Sequence, residues 1–178
     1  GGIDGEPIKL IEFNADTPTS LFETALLQWA LLKENNMDEE KQFNTVYESI
    51  KNNFKRLITL FDDLNTFDER YDGWKILFSS ISNNEEEEST TKLLQQIATD
   101  AGFNTGFEFL ENTHFDENGI YNANDNKYEY WFKLYPWEDI AHDEPELATT
   151  LTNIMLSQEA IILNPAYTLL FQSKGMLK

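Results

Sequence analysis

The stretch IKLIEFNADTPTS, residues 8–20, decides how this chain is interpreted. Apolar and polar side chains alternate up to Phe13 and turn-forming residues follow, which is the pattern of a half-buried strand that ends. Side chains two apart on a strand share a face, so Glu12 and Asn14 are predicted to project together. A carboxylate and an amide oxygen on one face form the hard-oxygen pair that Mg²⁺ accepts. The same polar strand end is also explained as a cap for the following helix.

The turn after this strand leads into a helix, for which the sequence offers two starting points. Thr17 before Pro18 is typical of an N-cap with proline at the first helical position. Ser20 followed by Glu23 is a competing capping box. Apolar side chains at helical spacing then continue to Glu34. A helix N-terminus beside paired oxygens is a candidate site for a metal and a phosphate.

The rest of the chain alternates between helical and strand patterns. This predicts an α/β (α+β) domain with a mixed β-sheet flanked by helices, and we expect residues 1–178 to form one domain. The acidic run from Ser82 to Glu88 is predicted to be a polar loop. Further helices are predicted over residues 43–61, 89–101 and 144–157 and from 165 onward. Further strands are predicted over 74–79, 107–111, 128–135 and 160–163.

The composition excludes several classes of site. Cysteine is absent, which excludes disulfides and a cysteine nucleophile. Of the two histidines, His114 and His142, each lies in a polar stretch, so we predict that both are exposed and expect no zinc site. No apolar run reaches the roughly 18 residues of a transmembrane helix, and the first residues do not resemble a signal peptide. We therefore expect a cytoplasmic protein, and we read the chain as a piece of a longer one.

The formal net charge of −19 bears on possible partners. Nucleic acids and anionic membranes are bound through Lys and Arg patches, so neither is an expected partner. The charge is compatible with an amine substrate and with divalent cations. An acidic composition that serves only solubility explains it equally well.

Three blocks carry a resemblance to a known family. They are EFNADTPTSL at residues 12–21, FKLYPWE at 132–138, and LNPAY at 163–167 with SKGML at 173–177. In this order they resemble the glutathionylspermidine synthase family of ATP-grasp carboxylate–amine ligases. The family's Arg-x-Asp element would fall at or before Gly1, and its later phosphate- and adenine-contacting segments lie beyond Lys178. The resemblance thus implies a partial ATP-grasp-like domain that holds one wall of the ATP site and is inactive by itself.

The resemblance also implies a reaction and its site residues. ATP phosphorylates a peptide-like carboxylate, and a polyamine-like amine displaces the phosphate from the acyl phosphate, with Mg²⁺ as the second cofactor. Glu12 and Asn14 match the family's Mg²⁺ positions, and Lys174 matches a lysine that contacts ATP phosphates. Thr17 and Thr19 match small hydroxyl residues that face the thiol-peptide substrate, although Thr17 is equally well explained as an N-cap.

The acidic run supplies two further candidates. Glu86 and Glu87 match, loosely, paired acidic residues that face the polyamine in the family. Two carboxylates suit a protonated amine because opposite charges attract. Four consecutive glutamates are also typical of a solvated loop, so the substrate-binding and the solvent-exposed interpretations both stand.

Four more residues receive predictions, none of them as catalytic groups. Asp16 is a weaker site candidate that either reaches the metal or stabilises the helix dipole. Lys133 is predicted to lie at a strand edge or in a salt bridge, and Tyr135 and Trp137 are predicted to pack in the core. The alternative function is that of a non-catalytic binding or interaction domain that retains the fold.

Overall fold

The structure is a computed structural model that describes residues 10, 13–41, 45–172 and 175. The predicted first strand lies largely outside these residues. A π-helical turn, Glu23–Leu27, leads directly into the first helix. The helices are α1 (Gln28–Glu34), α2 (Val46–Thr59), α3 (Phe67–Arg70), α4 (Glu85–Asp100), α5 (Trp137–Asp143), α6 (Pro145–Leu156) and α7 (Leu169–Gln172). The strands are β1 (Lys75–Ser80), β2 (Asn104–Phe109), β3 (His114–Asp116), β4 (Gly119–Tyr121), β5 (Lys127–Tyr128), β6 (Tyr130–Leu134) and β7 (Ile161–Ile162).

Two sheets organise the strands. The larger is a four-stranded sheet in the order β2-β1-β6-β7, and all of its pairs are parallel. Ile76 of β1 lies opposite Thr105 of β2 on one side and Tyr130 of β6 on the other. The smaller sheet is antiparallel, in the order β3-β4-β5. The predicted α/β class is confirmed, with the parallel and antiparallel pairings divided between two sheets.

Helices cover both faces of the parallel sheet, which explains why its strands are apolar without strict alternation. Ile76 and Phe78 point to one face, where α2 and α4 supply core residues including Phe54 and Ile97. Leu77 points to the opposite face, where it shares a second core with α5 and α6. All three of these β1 side chains are fully buried.

The connections run in opposite directions from the centre of this sheet. From β1 the chain passes through α4 to β2, whereas from β6 it passes through α5 and α6 to β7. The strand order therefore reverses between β1 and β6, and a crevice forms beyond their carboxyl ends. In open α/β sheets this is the place where ligands bind.

The structure corrects two helix starts. The helical segment that continues through the π-helical turn into α1 begins at Leu21, not at Pro18, because Ser20 has a φ of 58° and interrupts a helical path from the proline. The start at Ser20 was the better alternative, although a backbone oxygen, not the side chain, accepts the hydrogen bond from Thr24 N at 3.1 Å. The predicted acidic loop is also wrong from Glu85 onward, because those glutamates form the first turn of α4.

Local polarity also misled the prediction for residues 117–126. This predicted turn region contains β4, in which Ile120 is fully buried. Helix α5, whose first turn carries Glu138 and Asp139, was not predicted. His114 and His142 are both exposed, as predicted. In the described ranges no helix is both long enough and apolar enough to cross a membrane.

Candidate functional site

The segment 13–20 is fastened to the carboxyl end of β6 by the side chain of Asp16. This carboxylate is completely buried. Its Oδ1 accepts a hydrogen bond from Lys133 Nζ at 3.2 Å, and its Oδ2 accepts one from the backbone N–H of Trp137 at 2.8 Å. Thr168 Oγ1 donates to Pro165 O at 2.7 Å and lies 3.4 Å from Oδ1, which is the longer of its two contacts. Both oxygens are occupied, so Asp16 is an internal anchor, neither a metal ligand nor a group at the helix start.

Lys133 is the partner that balances this buried charge. Its ammonium is fully buried, donates to Tyr135 O at 2.6 Å and lies 4.5 Å from the centre of the Trp137 ring. Burial lowers the pKa of Lys133 to about 8, against the opposing effect of the Asp16 charge and its hydrogen bond. The predicted salt bridge is confirmed, whereas the predicted strand edge is wrong because β6 lies between β1 and β7.

Asn164 completes the arrangement from the end of β7. Its Nδ2 donates to Asp16 O at 2.8 Å and to Lys133 O at 2.6 Å. Its backbone oxygen accepts from Trp137 Nε1 at 2.7 Å, so Trp137 is buried as predicted and hydrogen-bonded as well. These residues form the Asp16 cluster: Asp16, Lys133, Trp137, Asn164 and Thr168.

Three predicted site residues converge in the turn that the cluster anchors. Asn14 Nδ2 donates to Thr19 Oγ1 at 3.3 Å, and Thr17 Oγ1 donates to Asn14 Oδ1 at 3.4 Å. Asn14 and Thr19 are exposed, and Thr17 is half-buried. Two other predicted residues, Glu12 and Lys174, lie outside the described residues.

The predicted pair Glu86 and Glu87 lies in the first turn of α4. Asn84 caps this helix, its Oδ1 accepting from Glu87 N at 3.2 Å. Glu86 is exposed, whereas Glu87 is half-buried and directs its Oε2 to a position without a hydrogen-bond partner among the described residues. Burial first, and then the neighbouring Glu86 charge, raises the pKa of the Glu87 carboxyl.

Two further polar side chains without partners lie in the same layer. Ser80 ends β1 on the face shared by Ile76 and Phe78, which is the face that α4 covers. Thr91 follows Glu87 by one helical turn on the inner side of α4. Both residues are fully buried, and within the described part of the chain neither hydroxyl has a hydrogen-bond partner. Sequence reasoning missed them, although a serine that ends an apolar strand and a threonine four residues after a glutamate are readable signals.

A cleft of about 380 Å³ opens on the other side of the sheet's carboxyl edge. Glu111 lines it and accepts from Ser82 Oγ at 2.7 Å, while Tyr135 donates to Glu144 at 3.3 Å. Tyr135 is only half-buried, whereas it was predicted to pack in the core. Burial, followed by the Glu144 charge, raises the pKa of its hydroxyl.

Acidic and histidine side chains do not assemble in groups of three that could hold a metal, as far as the described residues are concerned. The predicted pair for Mg²⁺ includes Glu12, outside that part, so Asn14 is the member whose position is known. Among the described residues its amide oxygen accepts the long hydrogen bond from Thr17, and the residue is exposed. The donor chemistry is that of a hard-oxygen ligand.

Comparison with known proteins assigns the chain to a family. The profile of the family described as "Glutathionylspermidine synthase preATP-grasp" matches residues 2–178. A protein of Haemophilus influenzae named "Putative acid--amine ligase" is 29% identical over 181 residues, covering 99% of this chain and 42% of its own length. The chain therefore spans about two fifths of that relative. With the family match extending over nearly all of its residues, the chain belongs to the glutathionylspermidine synthase preATP-grasp family.

Proposed function

We propose that the intact protein is an ATP- and Mg²⁺-dependent carboxylate–amine ligase. It would join a peptide-like carboxylate to a polyamine-like amine in the cytoplasm, where ATP is available. Residues 1–178 would form one domain of it, incomplete by itself. The observation that carries the proposal is the convergence of Asn14, Thr17 and Thr19 in a turn anchored by Asp16 at the carboxyl end of a parallel sheet. Family membership and the acid–amine ligase name of a relative support the reaction class.

In this proposal the turn supplies the polar groups for the first half-reaction. Glu12 and Asn14 would hold Mg²⁺, and Lys174 would contact the ATP phosphates. When bound, Mg²⁺ would neutralise the charge that develops on the transferring phosphoryl group. The exposed Asn14 amide oxygen is suited to such a role, and the hydroxyls of Thr17 and Thr19 are placed beside it to orient the substrate carboxylate.

The amine would bind at the first turn of α4. Glu87 is half-buried there and presents a carboxylate oxygen that has no partner among the described side chains. A protonated amine would donate a hydrogen bond to this acceptor, which otherwise carries a desolvation cost. Glu86 is exposed and adds negative charge beside it.

The test is ADP release by the intact protein, with glutathione and spermidine as the first probes in a panel of thiol peptides and amines. We expect release that requires Mg²⁺ and an amine together. Asn14→Ala should raise the Mg²⁺ concentration that gives half-maximal ADP release. Glu87→Gln should raise the KM for the amine, whereas Glu85→Gln, an exposed glutamate of the same helical turn, should leave it unchanged.

The outcomes separate the two candidate functions. A protein that binds Mg²⁺·ATP but releases no ADP with any carboxylate or amine would be the non-catalytic binding domain. Unchanged Mg²⁺ dependence in the Asn14 variant would exclude the metal role of the turn. Equal amine KM values for the Glu87 and Glu85 variants would exclude the amine site at α4.

A further inference from the structure

Two segments that are distant in the sequence meet beside the Asp16 cluster. Asn164 and Thr168 both contact Asp16, so the end of β7 and the start of the last helical segment are bonded to the N-terminal turn. Phe13 and Phe171 add an apolar contact, with ring centroids 6.3 Å apart and an edge-to-face angle of 73°. The two segments are therefore held together both within the buried cluster and near the surface.

The N-terminal segment carries the turn that the proposed function assigns to the metal. Asn14, next to Phe13, belongs to this metal-binding turn. The cluster connects both segments to one strand end, because Lys133 lies on β6 and contacts both Asp16 and, through its backbone, Asn164.

We infer that Asp16 and Lys133 are positioning residues that fix this metal-binding turn at the carboxyl end of β6. This inference rests on the proposed function. Neither side chain touches the reactants, because both are completely enclosed and bonded to each other. Their effect passes through the backbone, from Asp16 to Asn14 two residues before it and from Asn164 towards the final helix.

The chemistry of the pair explains why a neutral anchor would be weaker. The Asp16 carboxylate accepts from the Lys133 ammonium and from the backbone N–H of Trp137, and a charged acceptor bonds each of them more strongly than an amide would. Lys133 in turn donates to Tyr135 O, which fixes the start of the connection into α5. Replacing either charge leaves the other one buried and unbalanced.

The test measures binding of a non-hydrolysable ATP analogue, AMP-PNP, to the intact protein by calorimetry over a range of Mg²⁺ concentrations. Asp16→Asn and Lys133→Met should each raise the half-saturating Mg²⁺ concentration about 10- to 100-fold, as the loss of an orienting partner does at metal sites. The matched control is Glu159→Gln, which breaks the half-exposed ion pair with Lys127 and should change nothing.

Each outcome decides between specific alternatives. Folded Asp16 and Lys133 variants with wild-type Mg²⁺ dependence would show that the pair serves stability alone and would overturn the inference, while leaving the proposed function intact. A wild-type protein that does not bind AMP-PNP with Mg²⁺ would overturn the proposed function and this inference with it. If both variants fail to fold, Thr168→Val decides, since it keeps the buried ion pair, removes the hydroxyl contacts with Asp16 and Pro165 O, and should raise the half-saturating concentration about fivefold.

Discussion

Breaking the buried ion pair should cost far more stability than breaking a comparable pair at the surface. At 3.2 Å, the Asp16–Lys133 attraction is about 5 kcal/mol for an effective dielectric constant of 20. Lys133→Met removes this attraction and leaves the Asp16 carboxylate buried without its counter-charge. The free energy of unfolding should therefore fall by about 3–5 kcal/mol, a large part of the stability of a small domain.

A double-mutant cycle tests this reasoning. The measurement is equilibrium unfolding in urea of the wild type, Asp16→Asn, Lys133→Met and the double variant. Because the double variant leaves no unbalanced charge, its loss should be smaller than the sum of the single losses by at least 2 kcal/mol. The half-exposed pair Lys127–Glu159, at 2.6 Å, should show a coupling below about 1 kcal/mol in the same cycle, since solvent screens it. Additive losses at the buried pair would refute the argument.

Three further predictions concern packing, helix capping and proton binding. Gly106→Ala should lower the free energy of unfolding by about 1–3 kcal/mol, because the new Cβ would lie 2.2 Å from the Tyr128 hydroxyl. Urea unfolding measures this loss, and an unchanged midpoint would contradict the prediction. Asn84→Ala should cost about 1 kcal/mol by removing the cap on Glu87 N, visible as a lower thermal midpoint, whereas an equal or higher midpoint would contradict it. Lys133 should titrate with a pKa of about 8, observable from its ¹³Cε shift, and a value near 10.5 would contradict its burial. Since the unfolded chain then binds more protons than the folded one between pH 8 and 10.5, the wild type should gain stability relative to Lys133→Met as the pH rises through that window.

Local patterns predicted the framework of the fold because its elements are determined by nearby residues. The apolar run that became β1 and the aromatic run that became β6 both lie in the parallel sheet. The acidic run misled the prediction because charge was taken as a sign of a loop. Glutamates are good helix formers, and they interact favourably with a helix N-terminus, so Asn84 followed by Glu85 marked a helix start.

The site was less predictable because its key contacts are long-range. Asn14, Thr17 and Thr19 lie in one turn, and the family resemblance identified them as candidates together. No pattern in the sequence pairs Asp16 with Lys133, which is 117 positions away. A lysine between apolar neighbours on a strand indicates a buried partner, but it does not say which of the chain's many acidic residues that partner is.

The wide sequence separation within the Asp16 cluster has a consequence for biosynthesis. The partners of Asp16 follow it by 117 to 152 positions, so the ribosome must deliver residues as far as Thr168 before the turn around Asp16 can make all of its contacts. The strand–helix–strand unit β1–α4–β2 needs no such wait, since its parts are contiguous. In a nascent chain the β1–α4–β2 unit would therefore be folded while the N-terminal segment still lacks its contacts through Asp16. The turn around Asp16 would therefore become able to bind a ligand only after synthesis has passed Thr168.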